Sequence, residues 1–209
     1  MKYTDTQIDL LRREVCQRLS EKRFCHTLGV EKMAVLIGGY CMPESIDKLR
    51  VAALLHDISK EYSEAEYFEI IKQYNIAMSE DDLAASPLWH SITAPCVVKS
   101  DFAEFADSDV LSAVYNHTVG SPDMSVFDEI ILLSDYIEEG RTYKNCVELR
   151  KKFLAALEKA EGTDEAVMAL HMAVLESLEN NINEFVSRGK GYHHRTALTR
   201  DALKAKTGR

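Results

Sequence analysis

Apolar residues recur at helical spacing along nearly the whole chain, and this periodicity limits the fold more than any other feature. Ile8, Leu11, Val15 and Leu19 form a first stripe, which predicts an amphipathic helix over residues 5–19. Ser20 can cap a second helix through Phe24, Leu28, Val30, Ala34 and Ile37, with its stop expected at Gly38-Gly39. Cys41-Met42-Pro43 reads as a turn. From Ser45 the apolar density rises to Val51-Ala52-Ala53-Leu54-Leu55, a helix expected at the domain centre. Ser63-x-x-Glu66 matches a capping box for a helix ending near Tyr74. Pro87 suits the first turn of a helix carrying Trp89 and His90. Ser108 can cap a helix reaching His117, and Ser125-x-x-Asp128 opens another that Gly140 stops. Two more helices are expected over residues 143–161 and 163–187, divided at Gly162. No strand alternation and no internal repeat interrupts the pattern. Only 9 Gly and 4 Pro occur in 209 residues, which argues against a turn-rich sandwich or barrel. The expectation is an all-α chain forming a single domain over residues 1–209, long enough to bury a core without a disulfide or structural metal.

The formal charge of −9 hides an asymmetry. Residues 188–209 carry seven of the 25 Lys/Arg and only Asp201 among the 34 acids, so this tail is +6 and the body −15. An acidic chain argues against extended binding to nucleic acid or acidic membranes, both of which need a basic face. No signal-peptide apolar core opens the sequence, and no run is long enough to span a bilayer. The five cysteines, Cys16, Cys25, Cys41, Cys96 and Cys146, contain no C-x-x-C pair and read as reduced thiols of a cytoplasmic protein. The Asn116-His117-Thr118 sequon then reads as a chance match.

Chemistry gathers on six residues. His56-Asp57 closes the most apolar helix, where a charged carboxylate is costly unless compensated. A helix-end hydrogen-bond pair would compensate it, and so would a metal ion, since His nitrogen and Asp oxygen suit Fe, Mn, Zn, Co or Ni. Lys60 lies three and four residues on and shares that face if the helix continues, which points to an anionic ligand. Arg23 and His26 share a face of an earlier helix. His90 and His117 sit on two later ones, and Asp135 interrupts the apolar run Ile130-Ile131-Leu132-Leu133. The bland readings are a structural His171, a core Trp89, thiols that act as small hydrophobes, and a solvated face at Glu61, Glu64 and Glu66. Cys25 adjoins His26 but points about 100° away on a helix. No phosphate-binding glycine loop, dinucleotide fingerprint, H-E-x-x-H motif or nucleophile elbow is present.

The ordered set His26, His56-Asp57, His90, His117, Asp135 resembles the HD superfamily of metal-dependent phosphohydrolases. Arg23-Phe24-x-His26-Thr27-x-Gly29-Val30 is similar to the opening motif of its bacterial YqeK branch, the symmetrical diadenosine-tetraphosphate hydrolases. So are Tyr115-Asn116-His117-Thr118-x-Gly120-x-Pro122-x-Met124-Ser125 and Asp135-Tyr136-Ile137-Glu138-x-Gly140-Arg141. Gly191-Tyr192-His193-His194-Arg195-Thr196 resembles the family's ending, with Arg195 where many members have Pro.

The resemblance implies an HD helical bundle over about residues 20–142 with a metal site at its centre, followed by C-terminal helices and a basic tail over about 143–209. It implies that His26, His56, Asp57 and Asp135 hold one divalent transition metal, iron or a similar ion. In two-metal relatives Asp57 bridges to a second ion held by His90 and His117; in a one-metal enzyme those histidines face the phosphates. Water activated at the metal would attack an inner phosphorus and release two ADP. Asp57, Lys60, His90 and His117 form the expected catalytic set, with His90 or His117 as proton donor to the leaving ADP. Arg23, Lys60, Arg141, Thr118, Tyr192 and Thr196 are the expected substrate contacts. His193 and His194 read as surface residues, though the family's tail can approach the nucleotide. The expected partner is a small nucleotide, with no nucleic acid and no membrane, and monomer and homodimer both fit. Three other readings compete. One is an HD phosphohydrolase acting on a nucleoside monophosphate, a dNTP or a guanosine alarmone. Another is a nucleotide sensor without turnover. The third is a purely structural helical protein, which leaves His56-Asp57 and Asp135 uncompensated.

Overall fold

The computed structural model describes residues 2–209. Among these are eleven α-helices and no strand. The first three are α1 (Asp5–Arg18), α2 (Glu21–Cys41) and α3 (Ile46–Leu55). They are followed by α4 (Glu64–Gln73), α5 (Glu80–Ala84), α6 (Trp89–Asp101) and α7 (Ser108–Asn116). Then come α8 (Val126–Ile137), α9 (Lys144–Leu157), α10 (Thr163–Ser187) and α11 (His194–Thr207). The helix starts are fixed locally. Thr4 and Gln7, Ser63 and Glu66, and Ser125 and Asp128 each form a reciprocal capping box.

Helix α3 is the centre of the core. Val51 to Leu55 have no exposed surface, and α1, α2, α7 and α8 pack around the helix. A continuous apolar run therefore belongs here, because from Val51 to Leu55 no face of α3 meets solvent. Helices α9, α10 and α11 cover the outer side of α8 and α2, with Phe153, Leu170, Leu178 and Leu203 in the same continuous core. A smaller cluster of Tyr67, Trp89 and Ile92 lies beside it, and the Trp89 indole N–H donates to the Asp82 carbonyl at 2.7 Å. Trp89 is thus a core residue, as expected.

The structure corrects four element boundaries. Helix α2 runs on through Gly38-Gly39 to Cys41. Gly38 is a contact residue here: a Cβ on it would meet Leu49 Cδ1 at 2.4 Å, so its role is the close crossing of α2 and α3. Asp107 caps α7 in place of Ser108, its carboxylate accepting from the Asp109 N–H at 3.0 Å. Helix α8 ends at Ile137, three residues before Gly140. The tail after Arg188, read from sequence only as a change of charge, forms α11, which buries Thr196, Thr199 and Leu203 at helical spacing. Among the described residues, no helix is long and apolar enough to cross a membrane.

Candidate metal centre

The six residues come from five places on the helical frame. His26 is on α2, His56 and Asp57 follow the last turn of α3, His90 is in the first turn of α6, His117 follows α7, and Asp135 is near the end of α8. Local backbone orients three of the histidines. The Nδ1–H of His56 donates to the Ala53 carbonyl at 2.7 Å, that of His90 to Pro87 at 2.8 Å, and that of His117 to Val114 at 2.7 Å. A carbonyl can only accept, so Nδ1 carries the proton and Nε2 keeps a bare lone pair. His26 uses a side chain instead: its Nδ1 lies 3.1 Å from Glu138 Oε1.

All four Nε2 atoms turn inward. His26, His56 and Asp135 place their ligand atoms within 4.8 Å of one another, as do Asp57, His90 and His117. His26 Nε2 is 2.9 Å from Asp135 Oδ1. The Asp57 carboxylate stands between the two groups, with Oδ2 3.6 Å from His56 Nε2 and Oδ1 3.3 Å from His90 Nε2 and 3.6 Å from His117 Nε2. The Nε2 atoms of His26 and His56 are buried with no hydrogen-bond partner. Those of His90 and His117 face each other at 3.1 Å, and with both Nδ1 atoms already donating, two lone pairs confront each other. Buried ring nitrogens facing one another, of which His90 Nε2 alone meets protein donors at Lys60 and Thr118, beside two carboxylates, are a donor set for a divalent cation. The residues therefore fit a metal, in one group or in both.

Charge balance supports the same reading. Burial pushes the His56 pKa down to about 4, so the ring is neutral at pH 7. Burial and the Lys60 ammonium hold the His90 pKa well below the ordinary histidine value. His26 goes the other way: burial opposes its charging, but Asp135 outweighs it and raises the pKa. Burial alone would make Asp57 and Asp135 harder to ionise, yet the surrounding histidines and cations keep both well below the usual carboxylate range. Arg23 Nη1 lies 2.9 Å from Asp57 Oδ2, Lys60 Nζ 3.0 Å from His90 Nε2, and Arg141 Nη2 2.5 Å from Asp135 Oδ1.

Three clefts open onto these residues. One of about 550 Å³ is lined by His117, Thr118, Asp135, Arg141, Tyr143 and Arg188. One of about 640 Å³ is lined by Arg23, His26, Glu138, Arg141 and Tyr143, and one of about 300 Å³ by Lys60, Trp89 and His90. Thr118 Oγ1 is 3.4 Å from His90 Nε2. Tyr192 and Thr196 line none of the three: Tyr192 is exposed and Thr196 lies on the buried face of α11. Their segment lies elsewhere, with His193 paired to Asp82 at 3.1 Å and Arg195 stacked over Tyr115 at 4.6 Å. His193 is therefore a half-buried helix cap, where the tail was expected to be exposed. His171 pairs with the buried Glu129 at 2.6 Å, a structural role as expected. Sequence reasoning gave no role to Glu138, whose only signal was its place in the Asp135–Arg141 motif.

The family profile described as "HD domain" matches residues 23–140, more than half of the chain. The "Bis(5'-nucleosyl)-tetraphosphatase, symmetrical" of Bacillus subtilis is 30% identical over 186 residues, covering 88% of this chain and 91% of that protein. The protein of the same name from Halalkalibacterium halodurans is 27% identical, covering 88% and 90%. Among solved structures, a "predicted HD superfamily hydrolase involved in NAD metabolism" from Clostridium acetobutylicum superposes with a TM-score of 0.81 at 32% identity, over 95% of this chain and 97% of that one. HD domains bind divalent metal ions, and the six side chains gathered here offer the nitrogen and oxygen donors such ions take. By profile, relatives and fold alike, the chain belongs to the HD-domain family.

Proposed function

We propose that this protein is a metal-dependent hydrolase that cleaves diadenosine tetraphosphate symmetrically to two ADP. The observation that carries the reading is the Asp57 carboxylate, set with one oxygen toward each group of ligands, in a chain whose relatives are named symmetrical tetraphosphatases. We take His26, His56 and Asp135, with Asp57, as one binding set and Asp57, His90 and His117 as the second. His90 and His117 are better ligands than proton donors here, because each has committed its Nδ1 proton to a backbone carbonyl. Iron is our first choice of metal, and the same donors accept Mn, Co, Zn or Ni. A divalent ion at this place supplies Lewis acidity toward a phosphoryl oxygen and a water of lowered pKa.

The chain's own residues do the rest. Arg23, Lys60 and Arg141 surround the ligand cluster and meet the negative phosphoryl oxygens as charge spreads over them. The two arginines offer planar forks, while Lys60 acts as a point charge. Thr118, which lines the cleft, offers a hydroxyl 3.4 Å from His90 Nε2. The leaving ADP is stable as an anion near neutral pH, so nearby cations can take the place of a proton donor. Tyr192 and Thr196 have no part in this reading, since they lie away from the clefts. We read the protein as a cytoplasmic enzyme of small nucleotides, active as a monomer or a homodimer.

The test is product analysis with iron, manganese or cobalt added. Diadenosine tetraphosphate should give ADP alone; AMP with ATP would overturn the symmetrical assignment. Faster turnover of a nucleoside monophosphate, a dNTP or a guanosine alarmone in the same panel would transfer the assignment to that substrate.

A further inference from the structure

Glu138 is buried, yet it neither lies in the ligand cluster nor makes a close ion pair with a lysine or arginine; the nearest Arg141 nitrogen is 4.0 Å away. The chain leaves helical geometry at this residue, at φ −55° and ψ 156°, which turns its side chain back toward α2. There Oε1 faces His26 Nδ1 at 3.1 Å and Oε2 accepts the Gly140 N–H at 2.5 Å. Two glycines from separate elements close on the same carboxylate. A Cβ on Gly29, one turn beyond His26 on α2, would lie 2.4 Å from Glu138 Oε2. A Cβ on Gly140 would lie 2.9 Å from both oxygens.

We propose that Glu138 is a positioning residue that holds His26 with Nε2 aimed at the metal, and that Gly29 and Gly140 form the seat of its carboxylate. The inference rests on the metal reading of His26. Among the four histidines, His26 is the one whose Nδ1 partner is an acid. A carboxylate in this place fixes the ring's orientation and tautomer and makes Nε2 a more basic ligand than a carbonyl partner does. Helix propensity disfavours Gly29 in the interior of α2, so its presence there needs a reason of this kind.

The experiment titrates the metal-free full-length protein with Co(II), following its visible ligand-field absorption, and records the melting temperature of each metal-free variant. Glu138→Ala and Gly29→Ala should each weaken Co(II) binding about 10–100-fold, with metal-free melting close to wild type. Glu138→Gln, which keeps an acceptor oxygen but not the charge, should fall between them and wild type. Affinity within twofold of wild type for both alanine variants would overturn the proposal, as would losses that merely track lower melting temperatures. His26→Ala is the control. If it loses Co(II) while Glu138→Ala does not, the positioning role fails and the metal reading stands. If it keeps Co(II), the metal reading of His26 fails and takes the proposal with it.

Discussion

Asp57 has its two oxygens on opposite sides of the cluster, so its removal disturbs both sets of ligands and leaves Arg23, 2.9 Å away, without its counter-charge. Asp57→Ala should abolish turnover and strip most of the bound metal, checked by metal analysis beside the product assay; turnover near wild type would place the site elsewhere. Lys60→Ala should behave differently. Its ammonium touches His90 from outside the ligand set, so turnover should fall at least about tenfold while metal content stays near wild type. Loss of metal with Lys60 would make it part of the binding frame. The thiols separate just as sharply. Burial pushes the Cys41 pKa up to about 11, and burial raises that of Cys146, whereas Cys16 and Cys25 are exposed. At pH 8 an alkylating reagent should label Cys16 and Cys25 in the native protein, and Cys41 and Cys146 only after unfolding. Rapid native labelling of Cys41 would contradict its burial. Residue-scale legibility follows the range of the contact. His56-Asp57 and Asp135 stood out because they place polar groups in the most apolar stretches, and His26, His90 and His117 because they complete the ordered motif. Glu138 did not, since its partner His26 lies 112 residues away and its own helix ends one residue earlier.

Helices were legible wherever a cap and an apolar stripe agreed, as at Ser63-x-x-Glu66 and Ser125-x-x-Asp128. They were illegible where tertiary contact chose the residue. Gly38 looked like a stop because a glycine's local meaning is freedom, whereas here it lets Leu49 of α3 approach. Helix α11 was missed because two of its three buried positions are threonines, and Thr199 is satisfied by the Val119 and Arg195 carbonyls at 3.3 and 2.7 Å. No apolar stripe announces such a helix. The tie between the N-terminal segment and α3 was equally hidden. Asp47, on the first turn of α3, accepts the backbone N–H groups of Tyr3, at 2.6 Å, and of Lys2. Burial would raise its pKa, but these two donors outweigh that and lower it. A lowered folded pKa means stability that is present above the unfolded value and lost as pH falls through the folded one. Asp47→Asn should therefore destabilise the protein by about 1–2 kcal/mol at neutral pH. Wild type and variant should converge only once pH has fallen below the lowered folded-state pKa, where the wild-type carboxyl is neutral in both states. Urea midpoints measured across pH check this, and a gap that persists at low pH would show that packing, not charge, is what Asp47 supplies.

At the scale of the whole molecule, a chain of charge −9 takes a polyanion only if positive charge is concentrated where the anion lies. Helix α11 does not supply it, since Lys204 pairs with Glu179, Lys206 with Glu129, and Arg200 with Asp201, and Arg188, the tail residue that lines the cleft, pairs with Glu184. Nor do the cationic side chains at the centre suffice alone. Asp57 faces Arg23 and Lys60, and Arg141 faces Asp135 and Glu138, so three cations stand against three acids and the fixed charges there cancel. The metal is then the source of the excess, because each divalent ion adds two charges to a site that is otherwise neutral and walled by helices. The helical scaffold suits that division of labour: it has no glycine-rich loop to cradle phosphate, and its side chains converge from five places to hold ions that can. Affinity for the product should follow the metal accordingly. ADP should bind the metal-loaded protein and lose on the order of a hundredfold or more in affinity once the ion is chelated, a difference that two charges at contact distance readily supply. Calorimetric titration of ADP into loaded and chelator-treated protein measures it. Equal affinities would mean that Arg23, Lys60 and Arg141 leave their acidic partners to meet the phosphates, and that the cancellation seen in the resting site does not survive binding.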